Sequence, residues 1–323
     1  MNKPIAIIAG EPNSISSEII FKSWILKKQY SHKPWFVIGS IQLLNQQKKK
    51  LKYKINLKKI NNNFKTMDLK ENRILVYDIK YKQKKPFQKI SNKSNKYILE
   101  CFNVAIKLIK NKKIIGFINC PVAKETLFKN QYKGITEFLA KISGVKGNEV
   151  MLLYNKKLSV SPLTTHIPLS QVSKKINKLN IIKKVKIINN FYKKTFNKKP
   201  LIAVLGLNPH NFTDRKKSEE KEIIIPAIKI IKKKGISVMG PIPPDTSFSI
   251  INKYKFYVIL GMYHDQVLTT FKALFKYDAI NVTLGLPYIR ISPDHGIAEN
   301  ISGKKIANPK SLIESIKFFN YIE

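Results

Sequence analysis

Arginine is nearly missing from this chain: of the 60 basic residues in 323, only Arg73, Arg215 and Arg290 are arginines, and the other 57 are lysines. A net charge of +40 would in itself suit a polyphosphate partner. Base readers, however, rely on guanidinium forks that grip guanine bidentately. Lysine that is abundant everywhere, alongside abundant Ile and Asn, reads as a compositional bias spread over a solvated surface. Cysteine is also scarce. Cys101 and Cys120 cannot build a disulfide framework or a cysteine-rich metal site, so any metal must be held by histidine or carboxylate. No apolar run approaches the roughly 20 residues that span a bilayer. The opening stretch runs into a turn at GEP with no signal-length apolar region and no small-residue cleavage site. These absences predict a cytoplasmic protein with neither a membrane nor a nucleic-acid partner. Neither G-x-G-x-x-G nor a Walker loop is present, so a nucleotide, if bound, is held by other means.

What the chain does have is enough apolar material for a core. It is 43% hydrophobic and 10% aromatic, far from the composition of a disordered polymer, and its length favours two domains. Short apolar runs bounded by Gly, Pro or polar clusters predict buried strands at 4–10, 34–40, 74–79, 114–120, 201–207 and 256–262, with further strands at 280–285 and 287–292. Residues 149–155 and 158–163 are close enough to form a hairpin. Apolar residues at helical spacing predict helices at 14–29, 41–48, 95–110, 122–128, 171–196, 219–234 and 309–321, with Gly235 ending the sixth. The stretch 46–65 alternates at Leu51, Tyr53, Ile55 and Leu57 and reads as an edge strand with loops. Buried strands alternating with helices give an α/β fold with a largely parallel sheet.

Four of the five histidines directly follow predicted strands: His166, His210, His264 and His295. In open α/β sheets, ligands sit beyond the carboxyl ends of the strands, so the pattern gathers imidazoles at one edge. His32, in a polar turn, has no such company and reads as a surface residue. Carboxylates accompany the set: Asp265 follows His264, Asp294 precedes His295, and Asp245 sits on the turn PIPPDTSF. Scattered histidines with acidic neighbours suit a divalent ion bound between elements, although spacings of 44 and 54 residues match no local zinc motif. Anion-binding groups lie in the same region. Lys272, Asn281 and Arg290 stand on or beside the last strands, and Thr136 lies in the turn GITEF. Cations with a hydroxyl and an amide suit a small phosphorylated substrate. Arg290, flanked by Ile289 and Ile291 within a strand, needs an anion if it points inward.

In order along nearly the whole chain, GEP (10–12), TTHIPL (164–169), GLNPH (206–210), GPIPPDTSF (240–248), MYHDQ (262–266) and NVTLGLPYIRISPDHG (281–296) resemble the 4-hydroxythreonine-4-phosphate dehydrogenases of vitamin B6 synthesis. The resemblance implies two α/β domains flanking a cleft, similar to the isocitrate and isopropylmalate dehydrogenases. One domain would comprise residues 1–128 with 285–323, and the other 129–284. It implies a homodimer with shared active sites, NAD (or NADP) bound without the usual Rossmann loop, and one divalent metal (Zn, Mg, Mn or Co) on His166, His210 and His264. Thr136, Lys272, Asn281 and Arg290 would contact the substrate, and Asp245, Asp265 and Lys272 are candidates for the base.

The implied reaction oxidises 4-phosphooxy-L-threonine to a β-keto acid that decarboxylates to 3-amino-2-oxopropyl phosphate. A metal at the substrate hydroxyl would act as a Lewis acid in both steps. A dehydrogenase of threonate or erythronate 4-phosphate and a non-catalytic relative are the alternatives. The chain departs from the family pattern at Ile135, where GHTE has His. Ser14 and Ser16 replace glycines of GEPxGIG, Cys120 replaces the Gly of TGP, and Ile297 replaces the Thr of DHGTA.

Overall fold

A computed structural model describes residues 3–30, 33–65, 69, 72–129, 131–132, 134–212 and 217–322, so His32 and Arg215 lie outside the described residues. The chain divides into two compact units, residues 1–146 with 286–323, and 147–285. Residues 129–146 thus fall in the first unit.

The first unit is built on a parallel sheet. Its strands are β1 (Ile5–Ile8), β2 (Trp35–Gly39), β3 (Leu57–Ile60), β4 (Ile74–Asp78), β5 (Gly116–Asn119) and the late strand β12 (Ile289–Pro293). They lie in the order β3-β4-β2-β1-β5-β12, and every pairing within this order is parallel. Every residue of β1, β2 and β5 is buried, which is why these strands read as unbroken apolar runs rather than alternating ones. Helices α1 (Ser16–Ile25), α2 (Ile41–Lys50), α3 (Asn95–Lys110), α4 (Lys124–Phe128) and α5 (Ile135–Ile142) belong to this unit, and α12 (Lys310–Phe318) closes it. Helix α3 buries Tyr97, Ile98, Cys101, Phe102, Ala105 and Leu108, the i, i+4, i+7 stripe of a helix lying on a sheet. Phe102 meets Phe117 of β5 edge-on, with ring centroids 6.2 Å apart.

The second unit holds β6 (Val150–Tyr154), β7 (Ser159–Pro162), β8 (Ile202–Leu205), β9 (Val238–Ile242), β10 (Val258–Gly261) and β11 (Ile280–Leu284). Their order is β11-β6-β7-β10-β8-β9. The expected hairpin is present: β6 runs antiparallel to β7, with Leu153 opposite Val160. Strands β7, β10, β8 and β9 are mutually parallel along the sheet. The long helix expected at 171–196 is broken. Helix α6 (Val172–Lys175) ends before Ile176, and Asn177 caps α7 (Lys178–Phe196) by accepting from Asn180 N. Helix α8 (Ile225–Lys233), the short α9 (Pro244–Ser247) and α10 (Ile251–Tyr254), and α11 (His264–Phe275) complete the unit. Among the described residues no helix is long and apolar enough to cross a membrane.

Candidate active site

Strand order in the second unit decides where its histidines fall. Strands β7, β10 and β8 are consecutive and parallel. Their carboxyl ends lead to His166, His264 and His210 respectively, the edge where open α/β sheets hold ligands. His166 and His210 are exposed and His264 is half-buried. The rings of His166 and His264 lie 5.9 Å apart between centroids. His264 Nδ1 is 2.8 Å from Asp265 Oδ1, which leaves Nε2 as its outward nitrogen. His210 and Asn211 both sit in the left-handed region, at φ 51° and 66°, an uncommon backbone for residues with side chains and one that clusters at functional turns. Among the described residues of this single chain, no group of three or more His, Cys, Asp or Glu side chains is close enough to hold an ion.

Beneath the imidazoles the loops are tied to one another. Thr164 Oγ1 donates to Met262 O at 2.8 Å, and Leu163 N to Gly261 O at 2.7 Å, joining the His166 loop to the His264 loop. Gln266 Oε1 accepts from Met262 N at 2.6 Å, while its Nε2 donates to Gly206 O at 2.9 Å, reaching the His210 loop. That loop rests on Glu220, which is fully buried. Glu220 Oε1 accepts from Leu207 N and Asn208 N, each at 2.8 Å, and Oε2 accepts from Asn208 Nδ2 at 3.0 Å. Asn211 Nδ2 completes the turn by donating to Pro241 O. A Cβ on Gly206 would displace the Asn211 side-chain oxygen packed against it. Glu220 and Gln266 were not candidates from the sequence. Their signal lay in a paired Glu219-Glu220 opening a helix and in the last letter of MYHDQ.

The remaining candidates of this unit are spread out. Asp245 is exposed on α9, which packs against the His210 turn. Asp265 is exposed beside His264. Lys272 lies in the last turn of α11, not on a strand, eight residues beyond His264, or about 12 Å along the axis. Asn281 faces Leu153, which faces Val160, so it sits level with the middle of the strands rather than at their carboxyl ends. Its Oδ1 is buried without a hydrogen-bond partner among the described residues.

In the first unit, Arg290 is 3% exposed in the middle of β12. Its Nε donates to Asn119 Oδ1 at 2.7 Å and a terminal nitrogen donates to Thr136 Oγ1 at 3.4 Å. Burial pushes the guanidinium down to about 10, and Tyr288 and Glu137 oppose that shift, so it stays cationic at neutral pH. Thr136 is the second residue of helix α5 rather than part of a loop, and Gly134 precedes that helix in extended backbone. Ile135, the residue that replaces His, is buried in the apolar core. Asn119, the direct partner of Arg290, was hidden inside a run that reads as plain strand.

The loop after β1 in this unit is closed by its own polar groups. Glu11, 1% exposed, accepts from Asn13 N and from Ser94 Oγ, each at 3.2 Å. Burial raises its carboxyl above the ordinary range, against the lowering effect of these hydrogen bonds. Ser14 and Ser16, both buried, share a 2.7 Å hydroxyl contact. Ser14 Oγ donates to Glu11 O and accepts from Ser16 N. Gly10, at φ +75°, admits no Cβ against the Cys120–Pro121 backbone. His295, the fourth strand-end histidine, belongs to this unit. Its Nδ1 lies 3.1 Å from Gly296 O and its Nε2 is buried without a partner among the described residues.

The comparisons with known proteins extend this picture. The family model described as pyridoxal phosphate biosynthetic protein PdxA matches residues 31–319. The 4-hydroxythreonine-4-phosphate dehydrogenase of Aquifex aeolicus is 40% identical over 323 residues, covering 98% of this chain and 97% of that protein. A protein of Oceanobacillus iheyensis named putative D-threonate 4-phosphate dehydrogenase is 33% identical, covering 97% and 96%. The crystal structure of the Klebsiella pneumoniae 4-hydroxythreonine-4-phosphate dehydrogenase superposes with a TM-score of 0.86 at 30% identity, covering 98% of each chain. Matched along nearly its whole length in sequence and in fold, the chain belongs to the PdxA family of pyridoxal phosphate biosynthetic proteins.

Proposed function

We propose that this chain is an NAD-dependent dehydrogenase of 4-phosphooxy-L-threonine, assisted by one divalent cation and working as a homodimer with shared active sites. The product would be a β-keto acid that decarboxylates to 3-amino-2-oxopropyl phosphate. The observation that carries this reading is the placement of His166, His264 and His210 at the carboxyl ends of three consecutive parallel strands. The donor set suits a first-row divalent ion: neutral imidazoles are its common ligands, and Asp265 on His264 Nδ1 is the orienting carboxylate such ligands use. When bound, the ion would supply Lewis acidity at the substrate oxygen and NAD would accept the hydride.

The chain's own groups would supply the rest. Arg290, buried yet still cationic, offers a planar fork to a phosphate or carboxylate, with Asn119 and Thr136 fixing its plane. Asn281 Oδ1, without a partner among the described residues, suits a donor on the substrate, such as an amine or hydroxyl, and Lys272 adds a second cation. Asp245, Asp265 and Lys272 are the candidates to take the hydroxyl proton as the C–H bond breaks.

Purified protein given substrate, NAD and Mg²⁺, Mn²⁺ or Zn²⁺ should develop the near-ultraviolet absorbance of reduced nicotinamide, and no signal with any of these ions would overturn the reading. One observation favours a second substrate: Ile135 places an apolar, core-packed side chain where the family pattern has imidazole. Threonate 4-phosphate, which lacks the amino group, therefore belongs in the same assay. A binding module that keeps the fold is separated from both by His210→Ala, which abolishes turnover in an enzyme and leaves a module's affinity unchanged.

A further inference from the structure

We infer that Glu220 is a positioning residue: its buried carboxylate holds the turn that carries His210 in left-handed backbone. This rests on the proposed reading that His210 serves the reaction, and it needs no second imidazole from the same chain. Pro209 sets its own φ, but the two residues after it, His210 and Asn211, stand side by side at φ 51° and 66°. Residues with side chains persist in that region only where the surroundings over-determine them. Much of that determination comes from one carboxylate. Gly206 N donates to Ile242 O at 3.0 Å, and beyond it the donors turn to Glu220. Leu207 N and Asn208 N each reach Oε1 at 2.8 Å, and Asn208 Nδ2 reaches Oε2 at 3.0 Å. These bonds fix the direction in which the chain enters Pro209 and, with it, the Asn208 carbonyl. That carbonyl accepts from Asn211 N at 3.1 Å, and Asn211 Nδ2 donates to Pro241 O at 3.0 Å. His210 is thus bracketed on both sides while its own ring stays exposed.

Glu220 is itself held fast. It is fully buried and opens the π-helical turn Glu220–Ile224, which runs into α8. That helix is rooted in the apolar interior through Ala227, Ile228 and Ile231. A helix start favours a carboxylate, and π turns are rare and frequent at functional sites. The side chain is also matched to its partners, since two accepting oxygens face three N–H donors. Glutamine cannot meet all three: whichever way its amide is turned, an NH₂ group faces a donor. Asn208 cannot compensate by turning over, because its Nδ2 also donates to Glu219 Oε2 at 2.8 Å.

Glu220→Gln and Glu220→Met therefore loosen the turn without touching the imidazole. The test labels the histidines of the full-length, metal-free protein with ¹³C and ¹⁵N and follows their backbone signals by NMR. The chain has five histidines, and the signal of His210 is the one lost in His210→Ala. Turnover of 4-phosphooxy-L-threonine with NAD and Mg²⁺ or Zn²⁺ is measured beside it, with Glu222→Gln as the exposed-site control. In both Glu220 variants the His210 signal should move or divide, and kcat should fall roughly tenfold or more, since small misplacements of a reacting group are costly. Glu222→Gln should match wild type in both. A merely structural Glu220 would lower the melting temperature and leave the His210 signal of the folded protein in place. An unmoved His210 signal in folded Glu220 variants overturns the inference, and so does a moved signal with kcat within twofold of wild type. Failure of both variants to fold overturns it too, by making Glu220 a stability element. A wild type without turnover, or His210→Ala turning over as wild type does, instead overturns the reading of His210, while the NMR signal still decides whether Glu220 holds the turn.

Discussion

The loop after β1 in the first unit and the loops after β7, β10 and β8 in the second differ in how they satisfy their polar groups, although the strands themselves are built alike. In the first unit, the loop after β1 folds its polar groups onto one another. Glu11 is consumed by Asn13 and Ser94, and Ser14 by Ser16 and the Glu11 carbonyl. In the second unit, the loops after β7, β10 and β8 tie their backbones together through Thr164, Gln266 and Glu220 and leave three imidazoles turned outward or half-buried. The same architecture thus yields a closed strand end where side chains satisfy each other. It yields an open one where other residues tie the loops together and the imidazoles are left over. Buried Arg290 is the exception in the first unit, a cation kept on amide and hydroxyl partners.

The comparison breaks first at the histidines. His264→Ala should lower turnover by roughly 10³-fold or more, the scale of losing a central catalytic group, with little change in melting because the site is not core. Steady-state kinetics beside a melting curve checks both halves. Arg290→Met comes next, with kcat/KM expected to fall roughly 10²–10³-fold, since truncating one member of a buried charge contact costs about 2–5 kcal/mol. Its stability should hold or rise, because a desolvated cation replaced by an apolar chain of similar volume is often neutral or stabilising. A marked loss of stability would make Arg290 a structural residue.

The closed strand end is probed by stability rather than by rate. Ser14→Gly with Ser16→Gly removes the hydroxyl contacts of the β1 loop and should cost about 1 kcal/mol per lost bond in denaturant unfolding. An unchanged midpoint would mean that the pair does not hold the loop. Glu11→Gln should have the smallest effect, and one that depends on pH. A carboxyl raised in the folded state above its unfolded value favours folding most at low pH, and that contribution is lost as pH rises from the ordinary value of 4.5 through the raised one. Relative to wild type, the Gln variant should therefore gain stability above that window and lose the gain below it. A gain of the same size at pH 3 and pH 8 would count against a shifted Glu11.

Legibility in the sequence followed burial. Strands buried on both faces, such as Ile5–Ile8 and Ile202–Leu205, stand out because nothing polar interrupts them. Helix α3 stands out because its stripe is uninterrupted for 16 residues. Helix α11 was missed even though Val267, Leu268 and Phe271 lie at helical spacing, because its first turn is polar and reads as loop. Strand β9 was missed because it carries Gly240 and Pro241. It is an edge strand of its unit, where proline is tolerated. Helix α5 follows Gly134, an N-cap with no side chain to cap it, so nothing local announces it.

At the site, the strand-end rule placed the histidines, but it could not separate them by unit. His295 follows β12 in the first unit, apart from the three that follow β7, β8 and β10. Gln266 and Glu220 were invisible for a physical reason: a polar residue in a first helical turn looks the same whether it faces solvent or reaches across to another loop.

Whether the imidazoles at three strand ends serve one cation, as proposed, is decided by the stoichiometry of Co²⁺ bound to full-length wild type and to His166→Ala, His210→Ala and His264→Ala. One ion per chain is expected in the wild type, with binding weakened by at least two orders of magnitude in each variant. Retention of wild-type affinity by any of the three variants would contradict it.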